Sequence, residues 1–458
     1  MSLLFASDDP RHLHFLGIGG AGVSALALAA RRRGIPVIGG DNVTDAFADL
    51  EAAGAVVYLG SAPERLAGAR ALIYTAAAPA DHPMLVAARV LGIETVPRKV
   101  ALAGLVAGRT VVALAGTHGK TTTTVMTTIA LQGAGLSPSA LAGGRVPAWG
   151  GNAWLDGDDL WVVEADEYDQ AFLTLTPTVA VINNVEADHL ECYGTVADLE
   201  AAFVRFAGPA TTVLIGTADA GSDRVAALLP DPIRFGFEAG AGLQLTSLGS
   251  SPAGSEARVR WPDDHEIHLR LGVPGDHNLR NAAGALGAVR ALGGDIEGAA
   301  NALAGFTGVG RRFERGPEVA GIAFVDDYAH HPTELVATLA AARQAYPGRR
   351  LVAVFQPHLY SRTREHHVAM GEALRLADVA VLTDVYPARE APIPGINGEL
   401  VVVAARPGAA RVIYQPVRAD LDRTVADLIE PGDLVLTLGA GDVTKVGPAV
   451  RALLESDR

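Results

Sequence analysis

A glycine-rich turn near residue 120 carries the residue types that grip a triphosphate. It follows a β-type apolar run at 111–115 and leads into a predicted helix at 125–131. Backbone N–H groups in such a turn cradle phosphate oxygens, a lysine neutralises the β- and γ-phosphates, and a threonine hydroxyl binds Mg²⁺. The strict pattern needs glycine at 114, where this chain has Leu114, so the turn is a tighter variant. The pattern favours an ATP site over a ligand-free polar cap, with ATP bound by Gly116, Thr117, His118, Gly119, Lys120, Thr121 and Thr122.

A second glycine-rich turn lies near the start of the chain. Gly-Ile-Gly-Gly-Ala-Gly at 17–22 follows a β-type run at 13–16, and Asp41 ends the next predicted strand. This context is typical of pyrophosphate binding at a helix N-terminus. On these residues alone an NAD-dependent oxidoreductase, another nucleoside diphosphate ligand and a ligand-free turn all remain open. Two phosphate turns in different domains favour an enzyme that uses ATP on a second nucleotide-bearing molecule.

Acidic and histidine side chains follow two further β-type runs, at 160–163 and 179–182. Glu164 opens the acidic segment 164–169, and His189 ends the segment 183–189. Carboxyl ends of parallel strands share one crevice, which is also where the turn after residue 115 must lie. We therefore predict an Mg²⁺ site formed by Thr121, Glu164 and His189. A solvated acidic edge and a structural histidine are the alternatives. Cys192 is interpreted as a free thiol.

The elements that must position these residues alternate between short apolar runs and alanine-rich helical stretches. Continuous apolar runs bounded by Gly, Pro or Asp are typical of strands buried on both faces of a parallel sheet. The segment 240–270 instead alternates apolar and polar residues, which predicts a small antiparallel part. We predict an α/β fold with three domains, at 1–104, 105–310 and 311–458.

Bulk composition limits the class of protein. The chain has 458 residues, 49% of them hydrophobic, and a net charge of −14, which argues against nucleic acid as a partner. One cysteine excludes an internal disulfide, and no apolar stretch reaches the ~18 residues that span a bilayer. We expect a cytoplasmic protein that is not inserted in a membrane, as a monomer or weak homodimer.

Beyond these turns, ordered sequence blocks resemble the Mur ligase family over nearly the whole chain. They include FLGIGGAGVSALA (15–27), AGTHGKTTTT (115–124), VEADEYD (163–169), INNVEADHLECYG (182–194), GDHNLRNAAGA (275–285), GVGRRFE (308–314), VDDYAHHPTE (325–334), FQPHLYSRT (355–363), DVYPAREAPIPGINGE (384–399) and LGAGDV (438–443). The resemblance implies an N-terminal Rossmann-like domain for a UDP-sugar, a central ATPase domain and a C-terminal α/β domain that closes over both. It also implies a UDP pyrophosphate, rather than NAD, at Gly17, Gly19, Gly20 and Gly22.

The resemblance further implies roles for residues along the chain. The residues implied for nucleotide binding are His277, Asn278, Asn281, Arg312 and Asp327. The residues implied for catalysis are Lys120, Glu164, His189 and His330. The residues implied for binding the other substrates are Asp41, Tyr328, His330, His358 and Arg362. No lysine occurs between His189 and Arg205, which agrees with the alanine-adding branch, because some relatives carry a carbamylated lysine there. Where the family pattern leads us to expect Arg-Ala-Glu, this chain has Arg98-Lys99-Val100.

The activity implied is ATP-dependent addition of L-alanine to UDP-N-acetylmuramate through an acyl phosphate, in peptidoglycan precursor synthesis, with Mg²⁺ as cofactor. A recycling ligase that attaches a preformed tripeptide to the same UDP-sugar would share every ATP motif. An NAD-dependent oxidoreductase and a non-catalytic nucleotide-binding regulator are the alternatives from other classes.

Overall fold

The computed structural model describes residues 4–217, 219–388, 390–408 and 411–456. The chain divides into two compact units. The first unit comprises the chain as far as Ser247, together with Ala257–Leu269 and Arg280–Phe306. The second unit comprises Leu248–Glu256, Arg270–Leu279 and the chain from Thr307 onwards. Arg389, inside the 384–399 block, lies outside the described residues.

A five-stranded sheet opens the first unit. Its strands are β1 (Leu13–Leu16), β2 (Val37–Asp41), β3 (Val56–Leu59), β4 (Ala71–Tyr74) and β5 (Glu94–Pro97). The order β3-β2-β1-β4-β5 is parallel throughout. Strand order reverses at β1, so a ligand crevice is expected beyond its carboxyl end, where the turn 17–22 begins.

A ten-stranded sheet follows. Its strands are β6 (Thr110–Ala115), β7 (Ser139–Val146), β8 (Gly151–Trp154), β9 (Leu160–Glu164), β10 (Val179–Ile182), β11 (Thr212–Gly216), β12 (Ile233–Gly236), β13 (Leu243–Ser251), β14 (Gly254–Arg260) and β15 (Glu266–Leu271). The order is β15-β14-β13-β12-β11-β10-β6-β9-β7-β8. Strands β10, β6 and β9 are parallel neighbours, so their carboxyl ends lie side by side.

Helices connect these strands. They are α1 (Ala21–Arg32), α2 (Phe47–Ala52), α3 (Pro83–Val90), α4 (Arg98–Val106), α5 (Lys120–Gly133), α6 (Leu190–Tyr193), α7 (Val196–Ala207), α8 (Ala220–Ala227), α9 (Asp276–Ala291) and α10 (Ile296–Leu303). Short 3-10 helices span Pro63–Leu66, Pro147–Trp149 and Tyr168–Thr174. Buried aromatic rings fix the packing of α7, because Phe172 stacks on Phe206 at 5.0 Å and meets Phe203 edge-on at 5.2 Å.

The third sheet belongs to the second unit. Its strands are β16 (Glu314–Arg315), β17 (Ala323–Asp327), β18 (Leu351–Phe355), β19 (Val379–Leu382), β20 (Arg411–Tyr414) and β21 (Leu434–Leu438). The order is β16-β17-β21-β18-β19-β20, and only β16 among these pairs antiparallel. The helices are α11 (Pro332–Ala345), α12 (Tyr360–Leu374), α13 (Glu399–Ala405), α14 (Arg418–Ala426) and α15 (Val446–Ser456), and a 3-10 helix spans Asp442–Lys445. Two apolar clusters cover the two faces of this sheet.

The three sheets confirm the predicted α/β class, with mostly parallel pairing. The segment predicted to be antiparallel forms β13, β14 and β15, consecutive neighbours in the sheet that are joined by short turns. Domain boundaries near residues 105 and 311 stay predictions. None of the described helices is long and apolar enough to cross a membrane.

A buried histidine in β1 makes the stability of the first unit sensitive to pH. His14 is 0% exposed, and its Nε2 lies 2.9 Å from the Tyr58 hydroxyl. Burial, assisted by the charge of His12, lowers the pKa of His14 to about 4. The unfolded pKa is about 6.5, so the unfolded chain binds the proton first and stability falls as pH drops from about 6.5 towards 4.

We expect the substitution His14→Gln to reduce the loss of stability at low pH, because glutamine is polar but does not titrate. Between pH 7 and pH 4.5 the free energy of unfolding of the variant should fall by about 2 kcal/mol less than that of the natural chain. Urea denaturation at the two pH values measures the difference. Equal losses in both proteins would show that His14 does not carry the effect.

Candidate active site

The first glycine turn is held in a shape that only glycine fits. Asp41 accepts hydrogen bonds from the Gly19 N–H (2.9 Å) and the Val43 N–H (3.0 Å). A Cβ at Gly19 would lie 1.8 Å from the Val43 carbonyl oxygen, and one at Gly22 would lie 2.8 Å from the Arg98 guanidinium. Asp41, predicted to contact substrate, therefore braces the turn through two backbone hydrogen bonds.

A cavity of about 310 Å³ lies beside this turn. Its wall includes Gly19 and Gly20 from the turn, Asp49 from α2, and Arg145 and Asn152 from the second sheet. Arg145 binds both Asp49 oxygens, at 2.6 and 2.8 Å. The Asn152 amide donates to a backbone carbonyl and a hydroxyl of α1. The cavity thus joins the first sheet to the second and offers both cationic and amide groups.

The second glycine turn leads from β6 directly into α5. Gly119, the residue before the helix, has φ +80°, and its Cβ would lie 2.7 Å from the Asn281 amide oxygen. Gly116 has φ +132°, a conformation that L side chains rarely adopt. This turn brings backbone N–H groups to the N-terminus of a 14-residue helix, an arrangement suited to phosphate oxygens.

The segment after β10 anchors the turn from the other side. Asn184 accepts a hydrogen bond from the His118 N–H at 2.8 Å, and the Thr117 hydroxyl accepts one from the Glu186 N–H at 2.8 Å. The Asn183 amide donates to the Thr123 hydroxyl at 2.8 Å. Two turn residues and the first part of α5 are therefore fixed by a neighbouring strand end, which is the placement that the parallel sheet predicted.

Lys120 is held by a buried carboxylate that the sequence analysis did not select. Its Nζ donates to the two oxygens of Glu167 at 2.8 and 2.7 Å and to the Gly116 carbonyl at 2.7 Å. Burial opposes the charge, but the carboxylates of Glu167, Asp166 and Glu164 outweigh it and raise the pKa of Lys120. Lys120 therefore stays a cation at the position expected for phosphate binding.

Two of the three predicted metal ligands meet. The Thr121 hydroxyl donates to Glu164 Oε1 at 3.1 Å, and the Gly143 N–H donates to the other carboxylate oxygen. Burial raises the pKa of Glu164, while Lys120 opposes that shift. An alcohol and a carboxylate are hard oxygen donors, so this pair fits Mg²⁺.

His189, the third predicted ligand, contacts other side chains. Its Nδ1 is 3.4 Å from Glu191, its Nε2 is 3.8 Å from Asp188, and its ring meets Tyr168 edge-on at 5.2 Å. Its backbone is left-handed, with φ +55°. Within the described part of the chain, His189 forms no hydrogen bond or ion pair with Thr121 or Glu164, so its predicted metal role stays a prediction.

The close approach of β7 to Glu164 yields a test with a matched control. A Cβ at Gly143 would lie 2.2 Å from Glu164 Oε1, whereas one at Gly144 would make an ordinary 3.4 Å contact with a Thr121 methyl. We expect Gly143→Ala to displace the carboxylate and lower kcat about 100-fold, because small misplacements are costly in catalysis. Gly144→Ala should stay within a few-fold of the natural enzyme, and equal losses in steady-state assays would contradict this role of Glu164.

The second unit holds its own cluster of predicted residues at the carboxyl ends of β17 and β18. Asp327 accepts hydrogen bonds from the backbone N–H groups of Phe313 (2.7 Å) and Ala329 (2.8 Å). Burial raises the pKa of Asp327 to about 6, against the opposing charge of Arg312. At neutral pH Asp327 is therefore largely ionised but more basic than an ordinary aspartate.

His330 is partly buried, with 15% of its side chain exposed, and it is neutral. Its Nδ1 lies 2.9 Å from the Tyr328 carbonyl, so Nδ1 carries the hydrogen and Nε2 is the basic atom. Burial lowers the pKa of His330 to about 4, and the charges of Arg362 and Arg312 add to that effect while Glu334 opposes it. His330 can therefore accept a proton only weakly.

Arginines flank Tyr328 in this cluster. The Arg312 guanidinium lies 5.0 Å from the Tyr328 ring centroid and 3.6 Å from Glu334. Arg311, which the sequence analysis did not select, also lies 5.0 Å from that ring and donates to the Gly439 carbonyl at 2.6 Å. Arg311 therefore ties the turn before β16 to the end of β21.

His358 lies just before α12, and Arg362 lies in the first turn of that helix. Arg362 Nη1 is 3.3 Å from His358 Nδ1, and the His358 ring stacks on Tyr386 at 6.0 Å. The His330 ring meets His358 edge-on at 5.8 Å. The second unit thus brings Tyr328, His330, His358 and Arg362 into one group, and their roles towards the substrates stay a prediction.

Helix α9 carries three of the residues that the resemblance assigns to the nucleotide, His277, Asn278 and Asn281. Asn281 belongs to the first unit and lies against Gly119. His277 and Asn278 belong to the second unit, where the Asn278 amide donates to the Pro274 carbonyl at 2.8 Å. The structure therefore places Asn281 beside the turn 116–122, and the nucleotide contacts of all three residues stay a prediction.

Comparison with known proteins identifies the family. The chain is 43% identical over 451 residues to UDP-N-acetylmuramate–L-alanine ligase of Renibacterium salmoninarum, which covers 97% of this chain and 96% of that protein. The enzyme of the same description from Streptomyces avermitilis is 43% identical over 454 residues, with 97% of each chain covered. Mur ligase family models match residues 12–110 (catalytic domain), 114–289 (middle domain) and 311–441 (glutamate ligase domain). The chain belongs to the Mur ligase family.

Solved structures agree with this assignment. The UDP-N-acetylmuramate-alanine ligase of Thermotoga maritima is similar to this chain with a TM-score of 0.84 and 27% identity, covering 98% of this chain and all of that one. A murein peptide ligase from Psychrobacter arcticus has a TM-score of 0.69 and 23% identity, which shows a shared fold alone. The predicted three-domain α/β architecture is confirmed.

Proposed function

We propose that this protein uses ATP to join L-alanine to UDP-N-acetylmuramate, releasing ADP and phosphate, in peptidoglycan precursor synthesis. One observation supports the proposal most strongly. The first unit contains both a lysine-bearing turn suited to ATP and a second glycine-rich turn with a cavity beside it. Relatives 43% identical over nearly their full length are named for this reaction.

The first glycine turn would bind the pyrophosphate of the UDP-sugar through Gly17, Gly19, Gly20 and Gly22. The adjoining cavity, with Arg145 at its wall, would take part of the same substrate. We propose that 1–104 binds the UDP-sugar, 105–310 binds ATP, and 311–458 binds the amino acid.

ATP would lie on the turn 116–122, with Lys120 against its phosphates and Asn281 beside the turn. Mg²⁺, held by Thr121, Glu164 and His189, would offset the repulsion between the triphosphate and the incoming carboxylate. His277, Asn278, Arg312 and Asp327 are proposed to serve the nucleotide as well.

The chemistry has two steps. The lactyl carboxylate of UDP-N-acetylmuramate attacks the γ-phosphorus, the bond to the β-phosphate oxygen breaks, and an acyl phosphate and ADP form. The neutral amine of L-alanine then attacks the acyl carbon, and phosphate leaves with the electron pair of the C–O bond. Lys120 stabilises charge in the first step, and exclusion of water protects the acyl phosphate from hydrolysis.

The second unit is proposed to serve the amino acid. The Arg362 guanidinium suits the alanine carboxylate, and Tyr328 and His358 form the surrounding wall. The amine must lose a proton during attack, and either the neutral Nε2 of His330 or the Asp327 carboxylate, whose pKa is raised to about 6, can accept it.

A phosphate-release assay with ATP, Mg²⁺ and UDP-N-acetylmuramate tests the proposal. Release should require L-alanine and match the amide formed, whereas a preformed tripeptide should give little. Release with the tripeptide alone would identify a recycling ligase. No release, together with bound NAD(P) absorbance, would instead indicate an oxidoreductase built on the first glycine turn.

A further inference from the structure

A buried carboxylate lies against the ATP turn without a part in the reaction described above. Glu167 is 2% exposed, and its two oxygens accept hydrogen bonds from Lys120 Nζ at 2.8 and 2.7 Å. The same ammonium also faces the carbonyls of Gly116 (2.7 Å) and Thr117 (3.3 Å). An ammonium has three hydrogens, so these four acceptors engage all of them.

The chain holds Glu167 in this position with unusual backbone geometry. Asp169 and Gln170, two consecutive non-glycine residues, are left-handed with φ +54° and +52°. The Glu167 carbonyl accepts hydrogen bonds from the Tyr193 hydroxyl and from the Gln170 N–H. Non-glycine residues rarely adopt left-handed backbone conformations. Where such conformations occur at a functional site, they keep a side chain in a required position.

Cations from helix α4 brace the same segment. Lys99 Nζ lies 3.0 Å from both the carbonyl and a carboxylate oxygen of Asp169, and Arg98 lies 3.9 Å from Asp166. These contacts occur where the sequence departs from the family pattern at Lys99. The backbone around Glu167 is therefore held by contacts other than the one between its carboxylate and Lys120.

A triphosphate and Glu167 would compete for the same ammonium. Phosphate oxygens need the Nζ hydrogens that now point at the carboxylate, and a carboxylate beside a bound triphosphate repels it. Binding of ATP must therefore exchange one anionic partner of Lys120 for another, and release of ADP must reverse the exchange.

We propose that Glu167 is a positioning residue that holds Lys120 on the turn and exchanges it with the nucleotide phosphates, so that Glu167 limits nucleotide affinity and speeds ADP release. This inference rests on the proposed function, because it takes the turn 116–122 as an ATP site. Glu167 is not itself required to touch the reacting atoms.

The test compares Glu167→Gln with the natural enzyme. Glutamine keeps the size and an acceptor but removes the charge, so ADP measured by calorimetry without added Mg²⁺ should bind about tenfold more tightly or better. ADP dissociation in stopped flow should slow by a similar factor. KM for ATP should fall while KM for UDP-N-acetylmuramate stays unchanged. A purely structural role would instead lower Tm and weaken ADP binding.

Glu200→Gln is the matched control, because Glu200 forms another partly buried ion pair, 2.6 Å from Arg224, in the same unit. Its ADP affinity should equal that of the natural enzyme. If Glu167→Gln does not fold, Glu167→Asp withdraws the carboxylate by one methylene and should tighten ADP binding by a smaller factor. Unchanged or weaker ADP binding in the folded variant overturns the inference.

The outcomes also separate this inference from the proposed function. If the natural enzyme binds no ADP, the ATP site itself is wrong. If the natural enzyme binds ADP and forms the amide but Glu167→Gln leaves ADP affinity unchanged, only the exchange at Lys120 is wrong.

Discussion

Replacing Lys120 by alanine is expected to abolish ADP formation while leaving UDP-N-acetylmuramate binding largely intact. Lys120 is the cation on the turn proposed to bind ATP, and the UDP-sugar is proposed to bind the separate turn at 17–22. Loss of a partly buried cation that is proposed to stabilise the transferring phosphate should lower kcat by about a thousandfold or more. Coupled detection of ADP measures turnover, and calorimetry with UDP-N-acetylmuramate alone measures binding.

Lys445→Ala is the matched control, since the same substitution is made at an exposed lysine of the second unit. It should leave both measurements unchanged. Equal loss of UDP-sugar binding in Lys120→Ala would show that the two glycine turns do not divide the substrates as proposed.

The second large effect is expected for Glu164→Gln. The substitution keeps the size of the side chain and a partner for the Thr121 hydroxyl, but removes the negative charge from the proposed Mg²⁺ position. Turnover should fall by roughly a thousandfold, because charge stabilisation of this kind supplies several kcal/mol. The increase in ADP affinity on adding Mg²⁺ should also be lost, which calorimetry with and without the ion measures.

Glu200→Gln again serves as the control and should keep the Mg²⁺ effect. If Glu164→Gln retains natural turnover at saturating Mg²⁺, Glu164 is not a metal ligand. Removing Mg²⁺ with a chelator should stop turnover in the natural enzyme, which establishes the reference for this comparison.

Strands buried on both faces could be predicted almost to the residue. The runs at 13–16 and 179–182 have the same bounds as β1 and β10, and those at 111–115 and 160–163 are each one residue shorter than β6 and β9. Their apolar side chains leave no alternative to the interior of a parallel sheet, and Gly, Pro or polar residues mark their ends.

Edge and irregular strands gave no such signal. Strand β3 exposes Val56 and Leu59, and β7 contains the polar, glycine-rich sequence Gly-Gly-Arg. Their pairing depends on neighbours distant in the chain, so neither periodicity nor composition predicts them.

Helix α5 begins earlier in the chain than predicted, and the reason is local. The helix begins at Lys120, and its run of threonines disfavours a helix by propensity. Their hydroxyls donate to carbonyls four residues earlier, as Thr123 does to Gly119 and Thr124 to Lys120. The β-branched residues are thereby accommodated inside the helix.

The residues of the candidate site that belong to recognisable motifs could be predicted from the sequence. Lys120, Thr121 and Glu164 lie together because β6 and β9 are parallel neighbours. Glu167 and Gly143 were missed, since their contacts depend on the path of the segment after β9 and on the close approach of β7. For Glu167, a carboxylate three residues after Glu164 was the available signal.

The measurement that tests the central claim most directly follows oxygen during the reaction. UDP-N-acetylmuramate labelled with ¹⁸O in the lactyl carboxylate is converted with ATP and L-alanine, and the phosphate is analysed by mass spectrometry. An acyl phosphate requires one labelled oxygen to leave with the phosphate while the other stays in the amide. Phosphate free of ¹⁸O, with amide formed, would contradict the mechanism proposed for the ATP turn and Lys120.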